Sequence, residues 1–255
     1  MKNADRIDLA GQVAIVTGGT RGLGRQIAGA LATAGARVVV CGRNAPESLP
    51  DGVSFHAADI RDPDQARSFV DAVVAQHGRI DILVNNAGGS PHAAAASASP
   101  RFFDAILKLN LHAAMYMAQA AFTHMQAARS GSIVNIASVS AIRPSPMTAA
   151  YGAAKAGLLS LTQSLAQEWG PDGVRVNAII VGLMQTENAE ATYGDAEAQA
   201  SVARSLPLQR MGTGNDVAGA VLWLCSSLAD WVSGARINVD GGGERPFFLD
   251  LVKGQ

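Results

Sequence analysis

The sequence predicts one α/β domain, in which a doubly wound, mainly parallel sheet of seven strands carries helices on both faces. Short β-branched runs alternate with longer alanine-rich segments along the whole chain, as in parallel sheets with helical crossovers. The strand segments are continuously apolar, which indicates a sheet buried on both faces. No shift in composition marks an internal boundary, so residues 1–255 are expected to form a single domain.

Seven runs rich in Val and Ile predict the strands, at 12–17, 37–41, 53–57, 80–85, 131–137, 174–179 and 235–240. Segments with the length and apolar spacing of helices lie near 22–34, 63–77, 100–129, 149–169 and 215–229. Ser99 is expected to cap the third helix, ahead of Pro100 at its first position. Residues 182–214 fit no element, and inserts of this size are usually lids or binding loops. We expect them to form the substrate loop.

Composition and charge narrow the class of protein. With 48% hydrophobic residues, 16% charged residues and a net charge of −1, nucleic acid and anionic membranes are not expected as principal partners. No signal-peptide pattern and no apolar run of ~18 residues is present, so a cytoplasmic protein is expected. Cys41 and Cys225 lie in apolar runs and are expected to be small core residues. The five histidines lack ligand spacing, so no metal is expected.

A glycine-rich segment, TGGTRGLG at 17–24, follows the first predicted strand and opens the first predicted helix. Glycines at such a junction let the backbone turn tightly and approach a pyrophosphate on the helix N-terminus. The segment departs from the G-x-G-x-x-G dinucleotide pattern because its first gap has three residues and position 27 is Ile. Taken alone, it is also compatible with a simple turn.

The pentapeptide YGAAK places Tyr151 and Lys155 four residues apart, on one face of a predicted helix. Tyrosine, with an ordinary pKa near ~10, is an effective general acid or base only when that pKa moves toward ambient pH. A cation about 5 Å away contributes roughly 3 kcal/mol at an effective dielectric near 20, or about two and a half pKa units. We therefore expect Lys155 to tune Tyr151 by itself. The alternative is an exposed helix pair of little consequence.

Together these motifs resemble the short-chain dehydrogenase/reductase (SDR) family, whose fold is Rossmann-type. The resemblance covers nearly the whole chain and rests on T-G-x-x-x-G-x-G at 17–24, NNAG at 85–88, KLNLHAA around Asn110, IVNIASVS at 133–140, YGAAK, RVNAI at 175–179 and VDGG at 239–242. Ser138 precedes Tyr151 by thirteen positions, the gap typical of the family. The resemblance implies a catalytic set of Asn110, Ser138, Tyr151 and Lys155.

By this resemblance, Tyr151 protonates the carbonyl oxygen during reduction and accepts the hydroxyl proton during oxidation. Ser138 hydrogen-bonds the same oxygen, with Ser140 as a rival at a less suitable offset. Lys155 also holds the nicotinamide ribose, and Asn110 supports a water chain that returns protons to solvent. Family members are usually homotetramers, so a homotetramer is expected, with the apolar tail 244–251 at or near an interface.

NADP(H) is the expected cofactor, with NAD(H) less favoured. NAD-selective members end the second strand with an aspartate that would repel the 2′-phosphate of NADP. Here Gly42 takes that place, Arg43 follows it, and Arg21 adds a second cation. The alternative is that Arg43 only solvates a loop. The residues expected to bind the cofactor are Gly18, Thr20, Arg21, Gly22, Leu23, Gly24, Arg43, Asp59, Ile60, Asn86, Ala87, Gly88, Tyr151, Lys155, Gly182 and Thr186.

One departure from the family pattern is Val181, which stands where proline usually precedes Gly182; it puts the rigidity of the following loop in question. The expected substrate contacts in or beside that loop are Leu183, Met184, Tyr193, Leu206 and Met211. Two further candidates, His92 and Arg143, lie near the rim of the active site. The loop is apolar and has no basic cluster, which favours a compact hydrophobic alcohol or ketone over a carrier-bound acyl chain.

The sequence therefore predicts an NADP(H)-dependent oxidoreductase that transfers a hydride to a small-molecule carbonyl or from a secondary alcohol. A non-catalytic dinucleotide-binding module on the same fold is the alternative from another class, although a pure binder has little need of all four catalytic residues. A sugar-nucleotide epimerase or dehydratase is disfavoured, because those relatives carry an extra substrate domain.

Overall fold

The computed structural model describes residues 7–187 and 189–246. Its strands are β1 Val13–Thr17, β2 Arg37–Gly42, β3 Val53–Ala57, β4 Ile82–Asn85, β5 Gly131–Ser138, β6 Val174–Val181 and β7 Arg236–Val239. They form one sheet in the order β3-β2-β1-β4-β5-β6-β7, and every pairing is parallel. The predicted seven-stranded, doubly wound sheet is confirmed.

Among the described residues, helices cover both faces of this sheet: α1 Gly22–Thr33, α2 Pro63–His77, α3 Pro100–Leu107, α4 Ala113–Ala128, α5 Ala149–Trp169, α6 Ala189–Tyr193, α7 Ala196–Ser205 and α8 Gly214–Cys225. The long helix predicted near 100–129 is interrupted by a π-helical turn at Lys108–His112. The helix predicted to reach 229 ends earlier, at Cys225, and a 3₁₀ turn follows.

Local sequence signals explain where the helices begin. The Ser99 side chain accepts a hydrogen bond from the amide of Phe102 at 3.1 Å, with Pro100 at the first helical position, so the predicted cap of α3 is confirmed. Thr213 and Asp216 form a capping box at the start of α8. These contacts satisfy amides that have no partner within the helix.

The sheet separates two apolar layers. On one face, α2, α4 and α5 cover the strands with side chains such as Phe69 and Met117. On the other face, α1 and α8 contribute Ile27, Leu31 and Val221. Each of these residues is almost fully buried, and burial of a side chain of this size stabilises the fold by about 1.5–3 kcal/mol.

The strand order reverses beside β1, which pairs with β2 on one side and β4 on the other. In open parallel sheets the crossovers on either side of such a point run to opposite faces, and the loops at the carboxyl ends leave a crevice. The fold therefore places a binding cleft at the carboxyl ends of β1 and β4.

Residues 182–214, predicted as a loop without elements, contain the two short helices α6 and α7. The base of this segment is closed by backbone hydrogen bonds from Gln185 to Gly212 at 2.8 Å and from Gly212 to Leu183 at 2.9 Å. Four of its apolar residues, Met184, Ala189, Leu206 and Met211, are buried, whereas Leu208 is 64% exposed.

Cys41 and Cys225 are free and buried, as predicted. Burial raises the pKa of each thiol to about 12, so neither is a reactive thiolate at neutral pH. None of the helices in the described part of the chain is both long and apolar enough to cross a membrane.

Candidate active site

A cleft of about 1130 Å³ opens at the carboxyl ends of the strands. Every residue that was expected to bind the cofactor lines it, from Gly18 in the glycine-rich segment to Thr186 in the substrate loop. Ser138 lines the same cleft, whereas Asn110 does not. The structure therefore brings the cofactor candidates together in one place, large enough for a dinucleotide.

The glycine-rich segment is shaped for a close backbone approach. Gly22 has a φ of +53°, which L-residues with side chains rarely adopt. A side chain at Gly24 would collide with the side-chain amide of Asn86 and the carbonyl of Gly18. Arg21, the residue before α1, makes no side-chain cap to this helix. The first amides of α1 therefore face the cleft in the arrangement that binds phosphate groups.

Thr17 holds the NNAG segment, residues 85–88, against the glycine-rich segment by hydrogen bonds. The Thr17 hydroxyl accepts hydrogen bonds from the amides of Asn86 and Ala87, both at 3.0 Å. In return, the side-chain amide of Asn86 donates to the carbonyl of Thr17 at 2.9 Å. The floor of the cleft is thus held by contacts between the ends of β1 and β4.

A buried amide network lies behind the catalytic end. The Asn85 side chain donates to the side-chain oxygen of Asn135 at 2.9 Å, and Asn135 donates to the hydroxyl of Thr162 at 2.9 Å. These bonds join β4, β5 and α5. Because buried polar groups are costly to leave unpaired, the network fixes the strand that ends at Ser138 relative to the helix that carries Tyr151.

Ser138, Tyr151 and Lys155 meet at one end of the cleft. Ser138 is the last residue of β5, and the other two lie one turn apart near the start of α5. Burial raises the pKa of Tyr151, and a hydrogen bond with Ser138 partly offsets this effect. Lys155 is buried, and its ammonium donates to the carbonyl of Ile136 at 2.7 Å. Burial lowers the pKa of Lys155 to about 8.

The expectation that Lys155 by itself lowers the pKa of Tyr151 toward neutral pH is wrong for this structure. The Lys155 ammonium lies 5.7 Å from the centre of the Tyr151 ring and is directed to a backbone carbonyl. The pKa of Tyr151 is raised, because loss of water around the phenolate outweighs the groups that stabilise it. At neutral pH the phenol therefore holds its proton.

Asn110 lies one layer behind the cleft, in the π-helical turn. Its side-chain oxygen accepts from the amide of Gly89 at 2.8 Å, and its side-chain nitrogen donates to the carbonyls of Gly89 at 2.9 Å and Ile106 at 3.0 Å. The side chain thus holds the segment after NNAG in place. π-turns are frequent at functional sites.

At the far end of the cleft, Gly42 ends β2 without a carboxylate, and Arg43 and Arg21 both line the wall. Asp59 is paired with Arg61, whose Nε donates to Oδ1 of Asp59 at 2.8 Å. This hydrogen bond is the main cause of a lowered pKa of Asp59, to which Arg43 adds a smaller contribution. The arginines fit a phosphorylated ribose, since guanidinium donors suit phosphate oxygens.

The expected substrate contacts divide into two groups. Leu183, Met184 and Tyr193 line the cleft, as do the rim candidates His92 and Arg143. Leu206 and Met211 do not line the cleft, and both are buried. That part of the expectation is wrong, because side chains buried away from the cleft cannot contact a substrate in it.

Comparisons with known proteins agree with this geometry. A family model described as enoyl-(acyl carrier protein) reductase matches residues 18–244. A 2-dehydro-3-deoxy-D-gluconate 5-dehydrogenase from Escherichia coli K12 is 36% identical over 242 residues, covering 92% of this chain and 96% of its own. An L-rhamnose 1-dehydrogenase (NAD(P)(+)) from Azotobacter vinelandii is 36% identical over 248 residues, covering 92% and 97%.

A solved structure is similar over the same length. The gluconate 5-dehydrogenase from Burkholderia cenocepacia J2315, in complex with NADP and tartrate, superposes with a TM-score of 0.86 at 33% identity. It covers 93% of this chain and 97% of its own. The chain belongs to the short-chain dehydrogenase/reductase family. It is an oxidoreductase of the SDR type that acts on CH–OH donors.

Within the SDR pattern, Val181 is the residue that departs from the usual proline. It ends β6 in extended conformation, and it pairs with Ser138 on one side and Val239 on the other. The amide of Gly182 then donates to the carbonyl of Val239 at 3.0 Å. The strand thus continues straight into the cleft wall with valine in this place.

Two contacts of this SDR site were not foreseen from the sequence. The Glu187 carboxylate accepts a hydrogen bond from the amide of Gly22 at 3.4 Å. Arg143 pairs with Glu244, with Nε and Oε2 2.5 Å apart. Both join segments far apart in the chain, so a local residue pattern carries no signal for either contact.

Across residues 7–187 and 189–246, no three His, Cys, Asp or Glu side chains lie together as a metal site requires. The expectation of an enzyme without a metal stays an expectation.

Proposed function

We propose that this protein reduces a ketone, or oxidises a secondary alcohol, by hydride transfer with NADP(H), and that Tyr151 is its general acid and base. The observation that carries the proposal is the convergence of Ser138, Tyr151 and the buried Lys155 at one end of a dinucleotide-sized cleft.

Tyr151 donates its proton to the carbonyl oxygen during reduction. The hydride joins the carbonyl carbon, the C=O π bond becomes the new O–H bond, and a secondary alcohol results. In oxidation, the same phenolate accepts the hydroxyl proton. When bound, the nicotinamide supplies or accepts the hydride. The Ser138 hydroxyl lies where it can orient the reacting oxygen, and oriented donors of this kind stabilise developing charge.

The raised pKa of Tyr151 keeps the phenol protonated at neutral pH, so the proton that reduction needs is present. A raised pKa also makes the phenol a weaker acid. The Lys155 cation is present below its pKa of about 8. Lys155 would also hold the ribose hydroxyls.

Asn110 acts in this scheme as a positioning residue. Its side chain is committed to Gly89 and Ile106, so its contribution to a proton-returning water chain would come through the π-turn that it stabilises. We propose that removal of this side chain disturbs the wall of the cleft more than it disturbs the Ser138 to Tyr151 hydrogen bond.

NADP(H) is preferred over NAD(H) in this proposal because Gly42 brings no carboxylate and two arginines line the same wall. The Burkholderia cenocepacia relative, whose structure contains NADP, supports the choice. The relative from Azotobacter vinelandii, named for NAD(P)(+), keeps dual use as the alternative.

We further propose a cytoplasmic homotetramer with 182–214 as the substrate loop. Most of the predicted interface tail, 247–251, lies outside the described residues; a stable monomer at micromolar concentration would contradict the tetramer.

The test is loss of reduced nicotinamide absorbance, first with NADPH and then with NADH, against ketones, oxo sugar acids and 3-oxoacyl thioesters. Turnover that favours NADPH supports the proposal. Equal turnover with NADH would support dual use. Tight NADPH binding without turnover of any carbonyl would favour the binding-module alternative.

A further inference from the structure

We propose that Arg143 binds a carboxylate of the substrate, so that the substrate is a hydroxy acid or oxo acid, and that Glu244 is the internal partner which this carboxylate replaces. The inference deepens the proposed function and rests on it. It concerns which alcohol or ketone enters the cleft, and it does not depend on the choice between NADP and NAD.

Arg143 is held at a fixed place relative to the reacting centre. It follows Ser138 by five residues, across the 3₁₀ turn Val139–Ala141. The amide of Ser140 donates to the hydroxyl of Ser138 at 3.2 Å, and the amide of Arg143 donates to the carbonyl of Val139 at 3.1 Å. The turn therefore positions the backbone of Arg143 together with the hydroxyl that would bind the reacting oxygen.

The guanidinium lies at the catalytic end of the cleft, and it already binds a carboxylate. Arg143 lines the cleft, as do Tyr193 and His92. Its Nε pairs with Oε2 of Glu244, which lies in the segment after β7. The two side chains are 38% and 37% exposed, so a ligand in the cleft can reach Arg143.

The Arg143–Glu244 ion pair lies close enough to Tyr193, which lines the cleft, to affect the pKa of its hydroxyl. Burial is the main cause of the raised pKa of Tyr193; among the smaller causes, Glu244 raises the pKa and Arg143 lowers it. The Tyr193 hydroxyl also accepts from the amide of Met184 at 3.3 Å. The charged pair therefore lies against the substrate loop, where a bound substrate would be enclosed.

When the substrate carboxylate takes the place of the Glu244 carboxylate, the guanidinium of Arg143 stays paired with a carboxylate. The Arg143–Glu244 pair is more than a third exposed, so it holds Glu244 only weakly, and a substrate carboxylate offers the fork of arginine equivalent hydrogen bonds. A neutral alcohol cannot replace Glu244 in this way. The site is therefore selective for acids, in contrast to the compact hydrophobic substrate expected from the apolar loop alone.

Similarity to known proteins does not decide between an acidic and a neutral substrate. The Escherichia coli relative is named for a sugar acid, whereas the Azotobacter vinelandii relative is named for a neutral sugar. The ion pair at the catalytic end supplies the distinguishing observation.

The test uses the full-length protein with NADP⁺ and two matched sets of probes: aldonic acids such as D-gluconate, and the corresponding neutral alditols such as D-glucitol. Arg143→Met removes the charge, Arg143→Lys keeps it without the fork, and Glu244→Gln removes the internal competitor. Arg79→Met is the matched control. Arg79 pairs with Asp81 just before the start of β4. This pair lies at the amino end of the strand, whereas the cleft lies at the carboxyl ends.

For the best acid in the panel, we expect Arg143→Met to raise KM about 10- to 100-fold with a smaller change in kcat. Arg143→Lys should recover part of this loss. Glu244→Gln should lower KM for acids about threefold, since it frees the guanidinium. Turnover of alditols should change by less than about twofold in each variant, and Arg79→Met should match the wild type.

Turnover of alditols without turnover of any acid overturns the proposal, as does an unchanged acid KM in Arg143→Met. An equal loss with acids and alditols would also overturn it, because Arg143 would then be structural. Failure of the proposed function would give a different result: no turnover of either set of probes by the wild type, or activity that persists in Tyr151→Phe.

Discussion

The ammonium of Lys155 donates a hydrogen bond to the backbone carbonyl of Ile136 at 2.7 Å, and the side chain is buried. The cation is thus held beside Tyr151 by the strand that ends in Ser138. This placement costs desolvation free energy, which is why the pKa of Lys155 is lowered to about 8. This desolvation free energy can be measured through the dependence of protein stability on pH.

The stability of the protein should depend on pH through Lys155. Between the folded pKa of about 8 and the ordinary value of 10.5, the folded protein binds fewer protons than the unfolded chain, so stability rises with pH. Relative to Lys155→Met, the free energy of unfolding of the wild type should rise by about 2 kcal/mol between about pH 7.5 and about pH 9.5. Urea denaturation at both pH values measures it; a constant difference would show that Lys155 is not desolvated.

Ser138→Ala should move the pH profile of alcohol oxidation to higher pH. Oxidation needs the phenolate of Tyr151, and the hydrogen bond with Ser138 is the contact that lowers its pKa. We expect a shift of about one pH unit and a roughly 10- to 100-fold loss in kcat/KM. Ser140→Ala is the control, because only the backbone amide of Ser140 contacts Ser138. If Ser140→Ala loses more activity, the serine assignment is wrong.

Gly42→Asp should change the cofactor preference. A Cβ at Gly42 would meet Cγ2 of Thr20 at 3.4 Å, an ordinary contact, so the backbone has room for a Cβ at this position. Its carboxylate would repel a 2′-phosphate, and we expect NADPH affinity to fall about tenfold or more while NADH affinity holds. Gly42→Ala, which adds only the methyl group, should leave both affinities near the wild type. Equal weakening of both cofactors by Gly42→Asp would contradict this account of selectivity.

Glu187→Gln should strengthen dinucleotide binding. The Glu187 carboxylate accepts from the amide of Gly22 at the N-terminus of α1, the kind of position that favours a phosphate. Removal of this competing charge should lower the Kd for NADPH about 2- to 5-fold, measured by fluorescence titration. Glu190→Gln, in the same loop, should have little effect. Weaker binding in Glu187→Gln would mean that the carboxylate supports the bound state.

Sequence reasoning predicted the features that depend on short-range pattern. Continuous apolar runs predicted the parallel strands, the spacing of Tyr151 and Lys155 predicted that they share a helix face, and the resemblance to the SDR family implied that Ser138 lies with them. The cofactor candidates lie in one cleft because parallel strands bring their carboxyl ends to the same edge of the sheet.

Other features depend on long-range contacts and on desolvation, which a residue pattern does not report. Gly22 and Glu187 are 165 residues apart, and Arg143 and Glu244 likewise come from distant segments. Leu206 and Met211 are buried, and the apolar pattern of 182–214 alone does not tell a buried side chain from one that lines the cleft. The pKa of Tyr151 was predicted from one charge at a distance, whereas burial of the phenol decides its direction.

The most direct test of the central claim compares Tyr151→Phe with the wild type in the NADPH assay, with NADPH binding followed by fluorescence. Phenylalanine keeps the ring and removes only the hydroxyl. The account predicts that NADPH still binds with wild-type affinity while turnover falls by about 10²- to 10⁴-fold, the usual contribution of a general acid. Turnover that persists in Tyr151→Phe would contradict the assignment of Tyr151 as the proton donor.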